Sequence, residues 1–180
     1  MASLAVETGK NEDWKKGDRD APYGHRLSPV LKYIGFELET VTPTCIQGRF
    51  KVSERSAQTY GVLHGGISAL IAESLASFAA FVASGFQQVA GVELSISHLQ
   101  PASLGLEIEV KTTPIHIGRR LHVWEVKFIS VTRSPNGLPK RESSKTSEPG
   151  LIAVSKLTVT VLPSNPAAKS QGDKRIPSKL

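Results

Sequence analysis

Apolar and polar residues alternate with a period of two along several stretches of the chain. Ile46, Gly48, Phe50 and Val52 fall on one side of such a stretch, and the more polar residues between them fall on the other. Residues 92–98, 106–111 and 122–128 repeat the pattern, and residues 151–162 are more continuously apolar. Alternation of this kind is typical of strands that bury one face. We therefore predict strands in all these stretches.

Residues 65–84 break the alternation, because they are apolar or small throughout except for Glu73. The run is too long for a strand and predicts a helix. With a short helix near residues 27–34, the expected order is helix, two strands, long helix and four strands, joined by connections short enough for antiparallel pairing. This is an α+β domain. The long helix approaches the length of a membrane span, but Ala, Ser, Gly and Glu73 favour burial in protein, so we expect no membrane span.

The formal net charge is +6, and its distribution limits what it means. Residues 1–24 carry four basic and five acidic residues, and residues 163–180 carry four basic residues and one acidic residue. The remaining residues therefore have a formal net charge of +4. No basic stripe interleaves with aromatic residues, so nucleic acid is not an expected partner. Cys45 is the single cysteine, which excludes an internal disulfide and fits a reducing compartment.

The start of the long helix carries the candidate chemistry. Gly65 and Gly66 let a ligand approach the backbone, and a helix N-terminus offers unpaired N–H groups to an oxyanion or a phosphate. Glu73 is a carboxylate in an apolar setting, which indicates a partner or a task. Simpler interpretations stay open: a tight strand-to-helix turn at the glycines, a structural ion pair with an arginine at Glu73, and a helix-capping role for His64.

The spacing of Gly65 and Glu73 predicts a dimer. Eight helical residues span about 12 Å, whereas an oxyanion donor and an attacking or base carboxylate must both lie roughly 3 Å from the reacting atoms. Two antiparallel copies of the helix would bring Glu73 of one subunit to Gly65 of the other. A second copy would also cover the side of the apolar helix that one sheet leaves open. The spacing of the two residues and the burial of the helix thus each indicate a dimer.

The run from Gln58 to Glu73, with Gly61 and His64-Gly65-Gly66 at fixed spacing, resembles the hotdog-fold acyl-CoA thioesterases. The branch that acts on aromatic thioesters such as 4-hydroxybenzoyl-CoA is the more similar one. The likeness extends through residues 95–102 and 118–125 and covers roughly residues 25–162. It implies an antiparallel sheet wrapped around one central helix, assembled as a dimer or as a tetramer of dimers.

The resemblance also implies a role for each site residue. Gly65 would donate its N–H to the oxyanion, and Glu73 would act as nucleophile or general base. Gln58 would hold the thioester or the attacking water, His64 would orient Gln58, and Ser77 would place a hydroxyl beside the acid. Ser77 is as well explained as a small packing residue.

Coenzyme A is part of the implied substrate rather than a cofactor. Arg119 and Arg120 would then meet its nucleotide end, although a solvated strand end explains them equally well. Residues 133–150, rich in Ser, Pro, Gly and charge, are expected to form a long hairpin connection. His25, His98, His116 and His122 show no metal-ligand spacing, so no metal is assigned.

The chain ends in Ser178-Lys179-Leu180, a peroxisomal targeting tripeptide read by an import receptor. With the aromatic-type site, this makes the chain similar to the plant peroxisomal 1,4-dihydroxy-2-naphthoyl-CoA thioesterases of phylloquinone synthesis. The expected organisation is a tail at 1–24, a hotdog domain at 25–162 and a tail at 163–180. The alternatives are a fatty acyl-CoA thioesterase, a hotdog acyl-CoA hydratase, and a non-catalytic acyl-CoA-binding module.

Overall fold

A computed structural model describes residues 28–133, 139–140 and 150–163 of the chain. The expected tails, the targeting tripeptide and His25 lie outside these residues, apart from residue 163. The described residues contain two helices, α1 (Pro29–Tyr33) and α2 (Gly65–Ala83). Their strands are β1 (Glu37–Thr42), β2 (Cys45–Lys51), β3 (Val89–His98), β4 (Glu107–Ile117), β5 (Leu121–Arg133), β6 (Pro139–Lys140) and β7 (Leu151–Val161).

The strands form one antiparallel sheet in the order β1-β2-β4-β5-β7-β3, and the short β6 pairs with β5. The predicted order of elements is confirmed except that α1 is shorter than expected and β6 is an additional short strand after α2. The expected connection at residues 133–150 is corrected in part, because β5 runs to Arg133 and Pro139–Lys140 pair with it. The rest of that connection lies outside the described residues.

The inner face of the sheet and one side of α2 form the core. The predicted alternation is confirmed in β2, where Ile46 and Phe50 are buried, and in β5, where His122, Trp124, Val126 and Phe128 are buried. Small residues on the buried side of α2 leave room for these large side chains; they are Ala72, Ala76, Ala79 and Ala80. The sheet wrapped around one helix is the predicted hotdog arrangement.

The alternation predicted for residues 92–98 is wrong at its first position. The register of β3 against β7 shifts between Gly91 and Glu93, so Val92 is an extra residue in a β-bulge and is 61% exposed. Gly91 pairs with buried Val159 and therefore takes the inner position that Val92 was expected to hold. The inner row of β3 is then Gly91, Leu94, Ile96 and His98.

Both ends of α2 have defined caps. His64 is the N-cap residue, and its Nδ1 accepts the N–H of Gly66 at 2.8 Å. At the other end, the N–H groups of Gly85 and Phe86 donate to the carbonyls of Val82 and Phe81, which is a Schellman motif. Gly85 has φ +72°, the left-handed conformation this motif requires. The helix thus has fixed bounds, and its start is held by a histidine.

α2 is long and apolar enough to cross a membrane by length and composition alone. Eight of its residues are nevertheless buried in the protein, on the side that faces the sheet. The opposite side, which includes Leu70, Glu73, Ser77 and Phe81, is only partly covered by the described residues. The helix is therefore the core helix of this fold, and one of its sides is left for another surface.

Candidate active site

The first turn of α2 leaves one backbone N–H available. The N–H of Gly66 bonds His64 Nδ1, and those of Ile67 and Ser68 bond the His64 carbonyl at 2.9 and 3.2 Å. Among the described residues, the Gly65 N–H has no acceptor. A helix N-terminus carries a partial positive charge, so this N–H is the one placed to receive an anionic oxygen. The donor that the sequence predicted is thus structurally free to act.

His64 caps the helix, the simpler of the two roles considered for it. Because Nδ1 accepts a hydrogen bond, it carries no proton, and a neutral ring then carries its proton on Nε2. The His64 side chain is exposed, so Nε2 remains available to a ligand. Capping and a part in ligand binding are therefore compatible.

Gln58 lies in the loop that leads into α2. Its side-chain oxygen accepts the N–H of Tyr60 at 3.3 Å, and its own N–H donates to the Val62 carbonyl at 2.8 Å. The loop is tied to the helix start, because the His64 N–H bonds the Ser56 carbonyl at 2.9 Å. Gln58 is half-buried, and its amide group is held near the surface of this loop.

Glu73 is half-buried on the partly open side of α2. Ser77 Oγ, one turn later, donates to Glu73 Oε1 at 3.4 Å, so the hydroxyl stands beside the acid as expected. No cation among the described residues forms an ion pair with Glu73. The structural salt bridge that was the simpler interpretation of Glu73 is therefore not found in this part of the chain.

The Glu73 carboxylate lies directly over Gly91 of β3. A Cβ atom on Gly91 would overlap Glu73 Oε1 and would also meet the second carboxylate oxygen at 3.3 Å. Only glycine leaves this space, so the bulged strand forms the floor under the acid. Sequence reasoning missed Gly91, although a glycine inside a strand pattern often marks a bulge or a close approach.

A cavity of about 600 Å³ opens next to α2, and Glu73 is not one of the residues that line it. Ser74, next to Glu73, lines it, and so does Val89, two residues before Gly91. The rest of the wall is mostly apolar and comes from α1, the second half of α2 and the chain after β7; it includes Leu31, Leu75, Phe78, Phe81 and Leu162. A cavity of this size and lining suits an apolar or aromatic group.

Arg119 and Arg120 are exposed in the turn between β4 and β5. The Arg120 carbonyl accepts the N–H of Val161 at 2.8 Å, and Val161 precedes Leu162 of the cavity wall. The two arginines thus lie at the end of the sheet where the cavity opens.

Burial lowers the pKa of His122 below its usual range, against a hydrogen bond to the Gly118 backbone that raises it. His122 is 2% exposed and its Nδ1 has no partner among the described residues. Burial likewise raises the pKa of the Cys45 thiol, which is therefore not an activated nucleophile. Neither His122 nor Cys45 is one of the candidate site residues around Gly65 and Glu73.

Gly65 and Glu73 lie on one unbroken helix, about 12 Å apart along its axis. They also lie over different ends of β3, because Gly65 packs against His98 and Glu73 against Gly91. Within one chain they cannot touch the same bond. The structure therefore places Ser77 beside Glu73 and His64 beside Gly65, as two separate half-sites. Gln58 lies in the loop that leads to the second of them and contacts Tyr60 and Val62.

Comparison with known proteins identifies the class of these half-sites. Residues 60–134 match the family model of the thioesterase superfamily. The chain is 46% identical over 102 residues to 1,4-dihydroxy-2-naphthoyl-CoA thioesterase 2 of Arabidopsis thaliana, which covers 57% of this chain and 65% of that protein. It is 30% identical over 100 residues to the 1,4-dihydroxy-2-naphthoyl-CoA hydrolase of Escherichia coli, which covers 55% of this chain and 73% of that one.

Solved structures agree with this assignment. A thioesterase of Haemophilus influenzae superimposes with a TM-score of 0.59 at 28% identity, over 77% of this chain and 86% of that one. The region matched by the family model includes α2, with Gly65, Glu73 and Ser77, and the strands β3, β4 and β5. The chain therefore belongs to the thioesterase superfamily, has its hotdog fold, and is by family a thioester hydrolase.

Proposed function

We propose that this protein hydrolyses an aromatic acyl-CoA thioester at a site shared between two subunits. The observation that carries the proposal is that, among the described residues, α2 begins with an N–H that has no acceptor and carries, eight residues later, a carboxylate that has no cation beside it. The first is a donor for a developing oxyanion, and the second is a nucleophile or base. The relatives named as thioesterases and hydrolases of an acyl-CoA support the substrate class.

The second subunit is proposed to pair along β3. This strand is at an edge of the sheet, is ten residues long and is exposed along most of its length, which is the form of edge that invites another strand. In a symmetric antiparallel pair about an axis near Ser95, Gly91 of one subunit lies opposite His98 of the other, because the bulge lets Val92 and Glu93 together oppose one residue. Since Gly91 lies under Glu73 and His98 under Gly65, this register joins the two half-sites.

In the assembled site, the thioester carbonyl oxygen binds the Gly65 N–H of one subunit, where the helix dipole stabilises the charge that develops. The partner's Glu73 then acts on the carbonyl carbon in one of two ways. It attacks directly, giving an anhydride and coenzyme A thiolate, and water then cleaves the anhydride; or it takes a proton from a water that attacks. In both cases the C–S bond breaks, and the products are the acid and free coenzyme A.

The acyl group is proposed to enter the cavity next to α2 that Ser74 and Phe78 line. Its apolar wall of Leu31, Phe78 and Phe81 fits a ring system better than a charged group. We propose 1,4-dihydroxy-2-naphthoyl-CoA as the substrate, with 1,4-dihydroxy-2-naphthoate as the product, because two relatives carry that name. Arg119 and Arg120 would bind the phosphates of coenzyme A, and Ser178-Lys179-Leu180 would direct the enzyme to peroxisomes for phylloquinone synthesis.

The test is thiol release from a panel of aromatic and fatty acyl-CoAs by the wild-type protein and by Glu73→Gln. Glutamine keeps the size of the side chain but can neither attack nor accept a proton as a carboxylate does, so the rate should fall by at least about 10²-fold. Glu93→Gln is the control, because Glu93 is an exposed acid on the same strand as Gly91.

The outcomes separate the candidate functions. Release of thiol from naphthoyl-CoA in preference to fatty acyl-CoA, lost in Glu73→Gln and kept in Glu93→Gln, supports the proposal. Preference for fatty acyl-CoA would overturn the substrate, hydration without thiol would indicate a hydratase, and binding without either reaction would indicate a non-catalytic module.

A further inference from the structure

His98 lies at the end of β3 and packs against the start of α2. Its pairing with buried Ala153 of β7 places it in the inner row of the strand. The imidazole covers Gly65 so closely that a Cβ atom there would lie 3.3 Å from His98 Cε1 and 3.5 Å from Nε2. His98 Nε2 is also 2.7 Å from Ser68 Oγ, which is fully buried. The ring thus contacts the predicted oxyanion donor and a buried hydroxyl together.

The hydroxyl of Ser68 sets the direction of this hydrogen bond. Ser68 Oγ donates to the Gly65 carbonyl at 2.8 Å, and a hydroxyl has one proton to give. It can then only accept from His98, so His98 Nε2 carries a proton and donates. The order of donation is His98 to Ser68 and Ser68 to Gly65.

Two hydrogen bonds hold the peptide group between Gly65 and Gly66, one at its oxygen and one at its N–H. Its oxygen accepts from Ser68 Oγ, and its N–H donates to His64 Nδ1 at 2.8 Å. Two successive glycines would otherwise have wide conformational freedom. The Gly65 N–H belongs to the preceding peptide, whose oxygen, the His64 carbonyl, accepts from Ile67 and Ser68. With the peptides on both sides of Gly65 held, the direction of its free N–H is held as well.

On the basis of the proposed hydrolysis, we infer that His98 is a positioning residue, which acts through Ser68 to hold the Gly65 N–H in line with the developing oxyanion. The effect belongs to the transition state, because only there does the carbonyl oxygen become fully charged. Binding of the thioester depends on the cavity and on coenzyme A contacts, which His98 does not touch in the described structure. The expected signature is therefore a change in kcat with little change in KM.

The kinetic test compares four variants with the wild type. His98→Leu and Ser68→Ala should each lower kcat by about tenfold or more and leave KM within about twofold, since small misplacement of a catalytic donor costs rates of this order. His98→Gln keeps an N–H donor and should recover most of the loss. The double variant His98→Leu/Ser68→Ala should be no slower than the slower single variant, because both act on one peptide.

Ser97→Ala is the matched control, since Ser97 is the exposed neighbour of His98 on β3. Thermal unfolding of each variant shows whether a loss reflects the fold. If Ser68→Ala leaves kcat unchanged while His98→Leu lowers it, or if the two effects multiply, His98 acts on the substrate or elsewhere and the inference is overturned.

A second measurement does not depend on hydrolysis. Nitrogen-15 NMR of the imidazoles should show His98 with a proton on Nε2 at neutral pH, and Ser68→Ala should shift that resonance. A neutral ring protonated on Nδ1 alone would reverse the hydrogen bond and overturn the inference. If no thioester is hydrolysed by the wild type, the proposed function fails, and this spectrum still decides the direction of the bond.

Discussion

At the scale of single residues, the site depends on which groups have partners and which do not. In the first turn of α2, three N–H groups are satisfied by His64, and the Gly65 N–H has no acceptor in the part of the chain that the structure describes. Glu73 has a hydroxyl beside it and no cation among the described residues. Unpaired groups of this kind are costly unless they act on something. The Gly65 N–H and the Glu73 carboxylate therefore indicate a functional site more clearly than the residue types alone do.

Gly91 gives a prediction that separates activity from stability. Gly91→Ala puts a Cβ atom where the Glu73 carboxylate lies, and the carboxylate, as the far end of a flexible side chain, can swing away at little cost to the fold. Hydrolysis should fall by about tenfold or more, because a displaced catalytic group loses its aligned geometry. The melting temperature should change little, as with the control Ser97→Ala; equal activity of the two variants would contradict the placement of Glu73.

His122 gives a prediction about pH. Its folded-state pKa lies below the unfolded value near 6.5, with burial as the largest cause, so the unfolded chain binds the proton more tightly. Above about pH 6.5, His122 is neutral in both states and does not make the free energy of unfolding depend on pH. The free energy of unfolding decreases as the pH falls from there toward the folded-state pKa. Urea unfolding from pH 7.5 to 5 should show a steeper loss in the wild type than in His122→Leu.

The exposed histidine His116 is the control for that titration. Replacing it by Asn should leave most of the steepness of the pH dependence, because burial, the largest cause of the lowered pKa of His122, is unchanged. If His122→Leu and the wild type lose stability in parallel over the same range, His122 does not protonate on unfolding as the structure implies.

At the scale of elements, α2 and β3 are arranged so that each end of the strand lies under one half-site. α2 is covered by the sheet on one side, and β3 has no strand on its outer edge among the described residues. Both incomplete surfaces are adjacent, so one partner can cover them together. This is why a pairing of β3 with its copy is the proposed route to the complete site.

Ser95 tests this pairing, because it is exposed and nearest the proposed axis. In Ser95→Lys, two like charges from the two subunits would face each other across the paired strands, which destabilises the pair. Sedimentation should show a shift from dimer to monomer, with a loss of activity and an unchanged helical circular dichroism. Thr44→Lys, in the exposed turn between β1 and β2, should remain a dimer. A dimeric, active Ser95→Lys would exclude pairing at this position.

The elements of the fold could be predicted from sequence because burial imposes a simple period on them. The two-residue alternation located β2, β4 and β5, and the apolar run located α2. The same rule placed Val92 on the wrong face of β3, because a β-bulge shifts the alternation of inward and outward side chains by one residue. The amino-acid composition of the strand does not reveal that shift. The contacts of Gly91 with Glu73 and of His98 with Ser68 join residues 18 and 30 positions apart, and no local period encodes them.

At the scale of the whole molecule, the central claim is that each catalytic site takes its donor from one subunit and its acid from the other. Gly65→Pro removes the donor with little damage to the helix, because proline is favoured at the first helical position and His64 already has the extended conformation that precedes proline. Gly65→Ala is its control, since it adds a Cβ atom but keeps the N–H.

The most direct test mixes two inactive proteins, Glu73→Gln and Gly65→Pro, and measures thiol release after subunit exchange. In a mixed dimer of this kind, one site has both defects and the other has none. If the sites are shared, an equal mixture should regain about a quarter of wild-type activity, because half of the dimers are mixed and each has one intact site. If Gly65 and Glu73 of the same chain formed each site, both sites of a mixed dimer would be defective, and a mixture that exchanges subunits but stays inactive would contradict the account.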